Sequence, residues 1–152
     1  MTCFIGDILC KIEEKGRFLF PSILKKQLEK DQNRFVIKKD IYEKCLVLYT
    51  IDEWQRQIDF IRSKLNQFNK EHSRFLREFY RDTAELVMDS SGRINIPKRL
   101  LELADIKKEA YLLGLDSKIE IWAKEVYEGI EHNEDDFANL AHKLLGNESF
   151  NE

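Results

Sequence analysis

With 152 residues, 43% of them apolar, the chain can hold one medium domain or two small ones around a core. No run is long enough to span a bilayer, and Met1-Thr2-Cys3-Phe4-Ile5-Gly6-Asp7 lacks the basic start and apolar run of an export signal, so a cytoplasmic protein is expected. The net charge of −3 argues against a nucleic-acid partner only until it is divided: residues 1–49 carry +3 and residues 128–152 carry −6, so the acidity belongs to the tail.

In chain order, Ile8 to Glu13 reads as a strand and Arg17 to Phe20 as its hairpin partner. Glu13-Glu14-Lys15-Gly16 between them is turn chemistry, because Gly accepts positive φ without steric cost. Pro21 fixes φ and suits a first helical turn, and Leu24 and Leu28 extend a short helix over 21–30. Phe35 to Ile37 and Cys45 to Tyr49 are a third and a fourth strand. Residues 52–81 read as helical. Trp54, Ile58, Ile61, Leu65, Phe68, His72, Phe75 and Phe79 recur at alternating steps of four and three, a heptad-like seam. Asn66 and Asn69 weaken its middle, which predicts two helices, the second capped there. The seam can be a plain face packed on the sheets or a surface shared with a neighbouring subunit.

The strand pattern then returns. Ala84 to Asp89, Arg93 to Ile96, Ala110 to Leu113 and Lys118 to Trp122 are strands, and Pro97 to Leu103 is a short helix. After residue 127, Phe137, Leu140, Ala141, Leu144 and Leu145 mark an amphipathic helix in the acidic tail, with fraying expected from Gly146 onward.

The return is a repeat. Glu13-Glu14-Lys15-Gly16-Arg17-Phe18-Leu19-Phe20-Pro21 and Asp89-Ser90-Ser91-Gly92-Arg93-Ile94-Asn95-Ile96-Pro97 share acid, two residues, Gly, Arg, apolar, any, apolar, Pro. Leu24 answers Leu100, Phe35 answers Tyr111 and Asp40 answers Asp116 at the same offset of 76. Tyr49 and Trp54 answer Trp122 and Tyr127 at 73, so three residues are missing between the third and fourth strands of the second copy. Arg17 and Arg93 each stand on a glycine turn. Two roles are open to each: approach to a phosphate or a guanine edge, or closure of the turn by pairing with the acid four residues before it. Lys15 adds charge to the first turn, where the second has Ser91, so the first is expected to contribute more.

Residues for chemistry are not assembled. His72, His132 and His142 are scattered, no metal cluster or nucleophile elbow is present, and the glycines form no phosphate-cradling loop. Glu13 and Asp89 suit turn geometry better than proton transfer. No catalytic residue, metal, cofactor or small-molecule ligand is therefore expected. Cys3, Cys10 and Cys45 are an odd number without C-x-x-C spacing, which fits a reducing compartment, with Cys10 and Cys45 as buried thiols.

The two D/E-x-x-G-R-x-x-x-P blocks, the helical insert, Leu46-Val47-Leu48-Tyr49 with Trp54, and Leu100-Leu101-Glu102-Leu103-Ala104 resemble the MraZ family of bacterial transcriptional regulators over nearly the whole chain. The resemblance implies an α+β fold of two tandem AbrB-like (SpoVT-AbrB) swapped-hairpin β-barrel halves, joined as a pseudo-dimer within one chain. The divisions it implies are 1–54, a first copy; 55–82, a helical insert; 83–127, a second copy; and 128–152, an acidic tail. It further implies a nucleoid-associated, ring-shaped homo-oligomer on double-stranded DNA, bound to repeated boxes upstream of the division and cell-wall gene cluster. Lys15, Gly16, Arg17, Gly92 and Arg93 would touch DNA, with Glu13 and Asp89 as turn braces. Glu13 departs from the family's usual Asp. A protein-interaction or assembly module without DNA binding is the other reading.

Overall fold

The structure, a computed structural model, describes residues 2–146. Eight strands and six helices follow one another. The first copy gives β1 (Phe4–Lys11), β2 (Arg17–Leu19), α1 (Ser22–Lys25), β3 (Arg34–Lys39) and β4 (Leu46–Thr50). Then come α2 (Ile51–Lys64) and α3 (Lys70–Tyr80). The second copy gives β5 (Thr83–Val87), β6 (Arg93–Asn95), α4 (Lys98–Leu103), β7 (Glu109–Asp116) and β8 (Lys118–Ala123), with α5 (Lys124–Glu128) and α6 (Glu134–Leu145) closing the chain.

The strands form one antiparallel six-stranded sheet, ordered β1-β7-β8-β4-β3-β5, and a two-stranded ribbon of β2 and β6. The copies exchange strands. β1 pairs with β7 of the second copy, and β5 pairs with β3 of the first. At the centre β4 meets β8 with Val47 opposite Glu120, and in the ribbon Phe18 lies opposite Ile94. These two crossings are self-matching under the repeat, so a pseudo-two-fold axis runs through both. The missing three residues fall where the spacing placed them: residues 40–45 link β3 to β4, whereas Ser117 alone links β7 to β8.

One core results. Phe4, Phe18, Phe20, Leu24, Phe35, Ile37, Leu46 and Leu48 from the first copy pack with Ile94, Ile96, Leu100, Leu112, Ile119 and Ile121 from the second, all nearly or fully buried. Each such side chain contributes roughly 1.5–3 kcal/mol by leaving water, and the core they form is shared by both copies. Cys10 and Cys45 are buried as well, and burial pushes their thiols up to about 11 and about 12. The central strands β3 and β4 are buried on both faces, which is why they read as unbroken apolar runs. Their second face lies under the insert, where Val36 packs with Trp54, Ile58 and Phe79. Trp54 and Phe79 stack at 5.7 Å, and the Lys38 ammonium sits 4.2 Å from the Phe79 ring centre; burial lowers the Lys38 pKa. Tyr49–Trp54 and Trp122–Tyr127, the pairs matched at offset 73, both have ring centres 5.9 Å apart.

Several elements differ from the sequence reading. The first short helix is only residues 22–25, because turns replace it before Leu28. The seam is divided between two helices, and the residues between them form a tip at which Phe68 is 88% exposed. Asn69 caps α3 by accepting from the Glu71 and His72 N–H groups, at 2.9 and 3.3 Å. Asn66 instead braces the tip, its own N–H donating to His72 Nδ1 at 2.7 Å. α5 has no counterpart in the sequence reading. α6 forms with Asn133 as its cap, but none of its residues is buried: Phe137, Leu140 and Leu144 face away from the body. The fraying expected beyond Gly146 lies outside the described residues.

The outer edge of β1 is occupied by a side chain. Gln27 accepts from the Ile5 N–H at 2.9 Å and donates to the Ile5 carbonyl at 3.0 Å. Its amide stands where another strand's peptide would, which blunts the edge.

Candidate nucleic-acid interface

The two glycine turns lie at the entrances to β2 and β6 and share one backbone plan. In the first, the Glu13 N–H donates to the Arg17 carbonyl at 2.7 Å and the Gly16 N–H to the Glu13 carbonyl at 3.2 Å. In the second, the Asp89 N–H donates to the Arg93 carbonyl at 2.9 Å and the Gly92 N–H to the Asp89 carbonyl at 3.0 Å. Gly16 and Gly92 both adopt φ 84°, where a side chain is strained. Gly16 is also hemmed in, since a Cβ on it would lie 2.3 Å from the Ile96 carbonyl oxygen.

The turns are tied across the pseudo-two-fold axis. The Phe20 N–H donates to the Gly92 carbonyl, and the Ile96 N–H to the Gly16 carbonyl, both at 2.9 Å. The side chains cross too. Arg17 Nη2 donates to Asp89 Oδ2 at 3.1 Å, and Arg93 Nε donates to Glu13 Oε1 at 2.9 Å. Neither guanidinium pairs with the acid four residues before it, so the local ion pair open from the sequence is replaced by a crossed one. Antiparallel pairing of β2 with β6 explains this: Arg17 stands opposite Asn95 and Arg93 opposite Leu19, which brings each guanidinium to the other copy's turn. The side chains of both pairs remain substantially solvent-exposed, between 34% and 50%.

The acids differ. Asp89 Oδ1 accepts from the Ser91 hydroxyl at 2.7 Å, the Ser91 N–H at 2.9 Å and the Arg93 N–H at 3.0 Å, while Oδ2 holds Arg17. The Ser91 hydroxyl first, then the Arg93 N–H, the Ser91 N–H and the Arg17 charge, hold its carboxyl down at about 2. The Glu13 side chain, one methylene longer, makes no hydrogen bond to its own turn and accepts from Arg93 instead. Without that side-chain brace the first turn takes another path, with Lys15 left-handed at φ 66°, ψ 16°. Lys15, Gly16, Arg17, Gly92 and Arg93 are thus brought onto one ribbon, with Glu13 and Asp89 between them. The crossing is the feature sequence reasoning missed. Its partners are 72 and 80 residues apart, and only the repeat hints that they could meet.

The family model for the MraZ protein, antitoxin-like by its description, matches residues 79–148, which include the second turn. The transcriptional regulator MraZ of Phocaeicola vulgatus is 37% identical over 144 residues, covering 94% of each chain. That of Christiangramia forsetii is 40% identical over 152 residues, covering 99% of this chain and 97% of its own. The chain belongs to the MraZ family. That of Bacteroides thetaiotaomicron, at 35% over 150 residues, covers 98% of this chain and 96% of its own, so both turns of this MraZ chain fall inside the likeness.

Among the described residues, no group of three or more His, Cys, Asp and Glu is placed to hold a metal ion. No described helix is long and apolar enough to cross a membrane. Chemically, the ribbon of this MraZ chain offers cations that can leave one carboxylate for another anion.

Proposed function

We propose that the chain is a sequence-specific, DNA-binding transcriptional regulator that reads a duplex with the turns at Lys15–Arg17 and Gly92–Arg93. The observation that carries this reading is the crossed pair of exposed guanidiniums on one ribbon. Each is held by a single hydrogen bond to a carboxylate, and each can exchange it for a phosphate or a guanine edge. The exchanged strands support an AbrB-type swapped-hairpin pseudo-dimer, divided as 1–54, 55–82, 83–127 and 128–152. Members of a family whose relatives are named transcriptional regulators give the same direction. The exposed apolar faces of α6 and of the tip around Phe68 supply surface for a ring-shaped homo-oligomer. Such a ring would set several turns on repeated boxes and raise avidity by effective concentration. The boxes are those upstream of the division and cell-wall gene cluster, and the protein acts in the nucleoid, without catalysis, cofactor or small-molecule ligand.

The ion pairs favour one other reading. If Arg17 and Arg93 only brace the ribbon, the protein is an assembly module. The test measures melting, oligomer size and duplex affinity on one preparation each of parent, Arg17→Ala and Arg93→Ala, using the gene's own upstream region at several salt concentrations. A base-reading arginine costs about 1–3 kcal/mol per site and relaxes specificity when removed. A well-folded Arg17→Ala ring that binds as tightly as the parent establishes the assembly reading.

A further inference from the structure

The second turn lacks the lysine of the first, because Ser91 stands where the first copy has Lys15. A lysine reaches it from elsewhere. Lys25, at the end of α1, places its Nζ 3.4 Å from where a Cβ on Gly92 would lie. The pseudo-symmetric position, 76 residues on, is Leu101, and its Cδ1 stands 2.9 Å from the matching point on Gly16. The fold thus lays the same helical position of each copy over the turn glycine of the other. In one crossing it delivers a half-buried apolar cover packed against the core. In the other it delivers an exposed ammonium that forms no hydrogen bond or ion pair with the described residues.

We propose that Lys25 is a duplex-phosphate ligand of the second turn, supplied across the pseudo-two-fold axis by the first copy. The proposal rests on the DNA-binding reading of the turns and adds a residue to it. Its chemistry is that of a flexible point charge, which binds a phosphodiester without reading a base. Formal charges then reverse the expectation that the first turn dominates. Glu13, Glu14, Lys15 and Arg17 cancel, whereas Asp89, Arg93 and Lys25 leave a surplus positive charge.

The experiment compares parent, Lys25→Gln, Arg17→Ala, Arg93→Ala and a control, Lys30→Gln, which removes the same formal charge from the exposed loop after α1. Affinity for the upstream duplex and for a scrambled duplex of equal length is measured from 50 to 200 mM salt, with melting and oligomer size on the same samples. Lys25→Gln is expected to melt and assemble like the parent and to lose affinity for both duplexes alike. Its salt slope falls by about one for each second turn engaged, so its deficit narrows about threefold between 50 and 200 mM salt. A Lys25→Gln protein with the parent's slope and affinity overturns the proposal, as does a Lys30→Gln protein with an equal loss. If instead Arg93→Ala and Arg17→Ala both bind like the parent, the DNA-binding reading of the turns itself has failed, and the Lys25 assignment falls with it.

Discussion

At the scale of single residues, Asp89 does two tasks at once, and pH separates them. Its carboxyl, held at about 2 against an ordinary 3.8, stabilises the fold fully above the unfolded value; that contribution is lost as pH falls through the folded one. Asp89→Asn keeps an acceptor for the turn but drops the charge facing Arg17. The variant should melt below the parent near neutral pH, and the gap should close as pH falls through the range from about 4 to 2. Thermal scans at stepped pH decide this, and a gap that persists at pH ~1.5 would count against the charge as its source. The sequence made the glycines legible, since acid-x-x-Gly-Arg needs a positive φ, and both sit at 84°. It did not make the acids' partners legible. A carboxylate's choice between a local N–H and a distant guanidinium depends on one methylene and on which strand lies opposite, and neither is a local pattern.

Among elements, the helical insert shows why spacing reveals a face but not its cover. Trp54, Ile58 and Phe79 bury themselves against β3, as a plain packed face would, while Phe68 from the same seam stands in solvent at the tip. The periodicity is identical on either side of the reversal; Asn66 and Asn69 mark it, the one by bracing the tip and the other by capping α3. Phe79→Ala should therefore cost about 3 kcal/mol, through the lost stack on Trp54 and the lost partner of Lys38, whereas Phe68→Ala should stay within about 0.5 kcal/mol. Urea unfolding of the two variants measures both, and equal losses would mean that the tip is covered. In the tail, acidic composition and apolar spacing made α6 legible, yet that none of its described residues is buried was invisible in that pattern. α5 escaped notice because five residues are too few for periodicity to register.

Across the whole molecule, the repeat made the two copies and their short deletion readable, and the matched aromatic pairs show how closely the offset holds. Which copy's strand lies beside which was implied by the family resemblance and not by periodicity, because the burial pattern of β1 is satisfied by any antiparallel partner of the right length. The exchange implies that residues 1–54 alone, deprived of β7 and β8, should give no cooperative melt as a monomer. Circular dichroism on that fragment tests this, and a sharp transition would show that one copy closes its own core. The same pairing also sets an order in time. β1 is made long before the strand that receives it, with Phe4 opposite Asp116 and Lys11 opposite Glu109. About a hundred residues must be added between them, which takes roughly 5–20 s at ~5–20 residues per second. During synthesis β3 and β4 can already form a hairpin, and β5 can join it, while Phe4 and Cys10 wait in water with no sheet to enter. β1 therefore cannot complete its sheet pairing until β7 has been made, and it stays open to chaperones or proteases when translation stalls before residue 109.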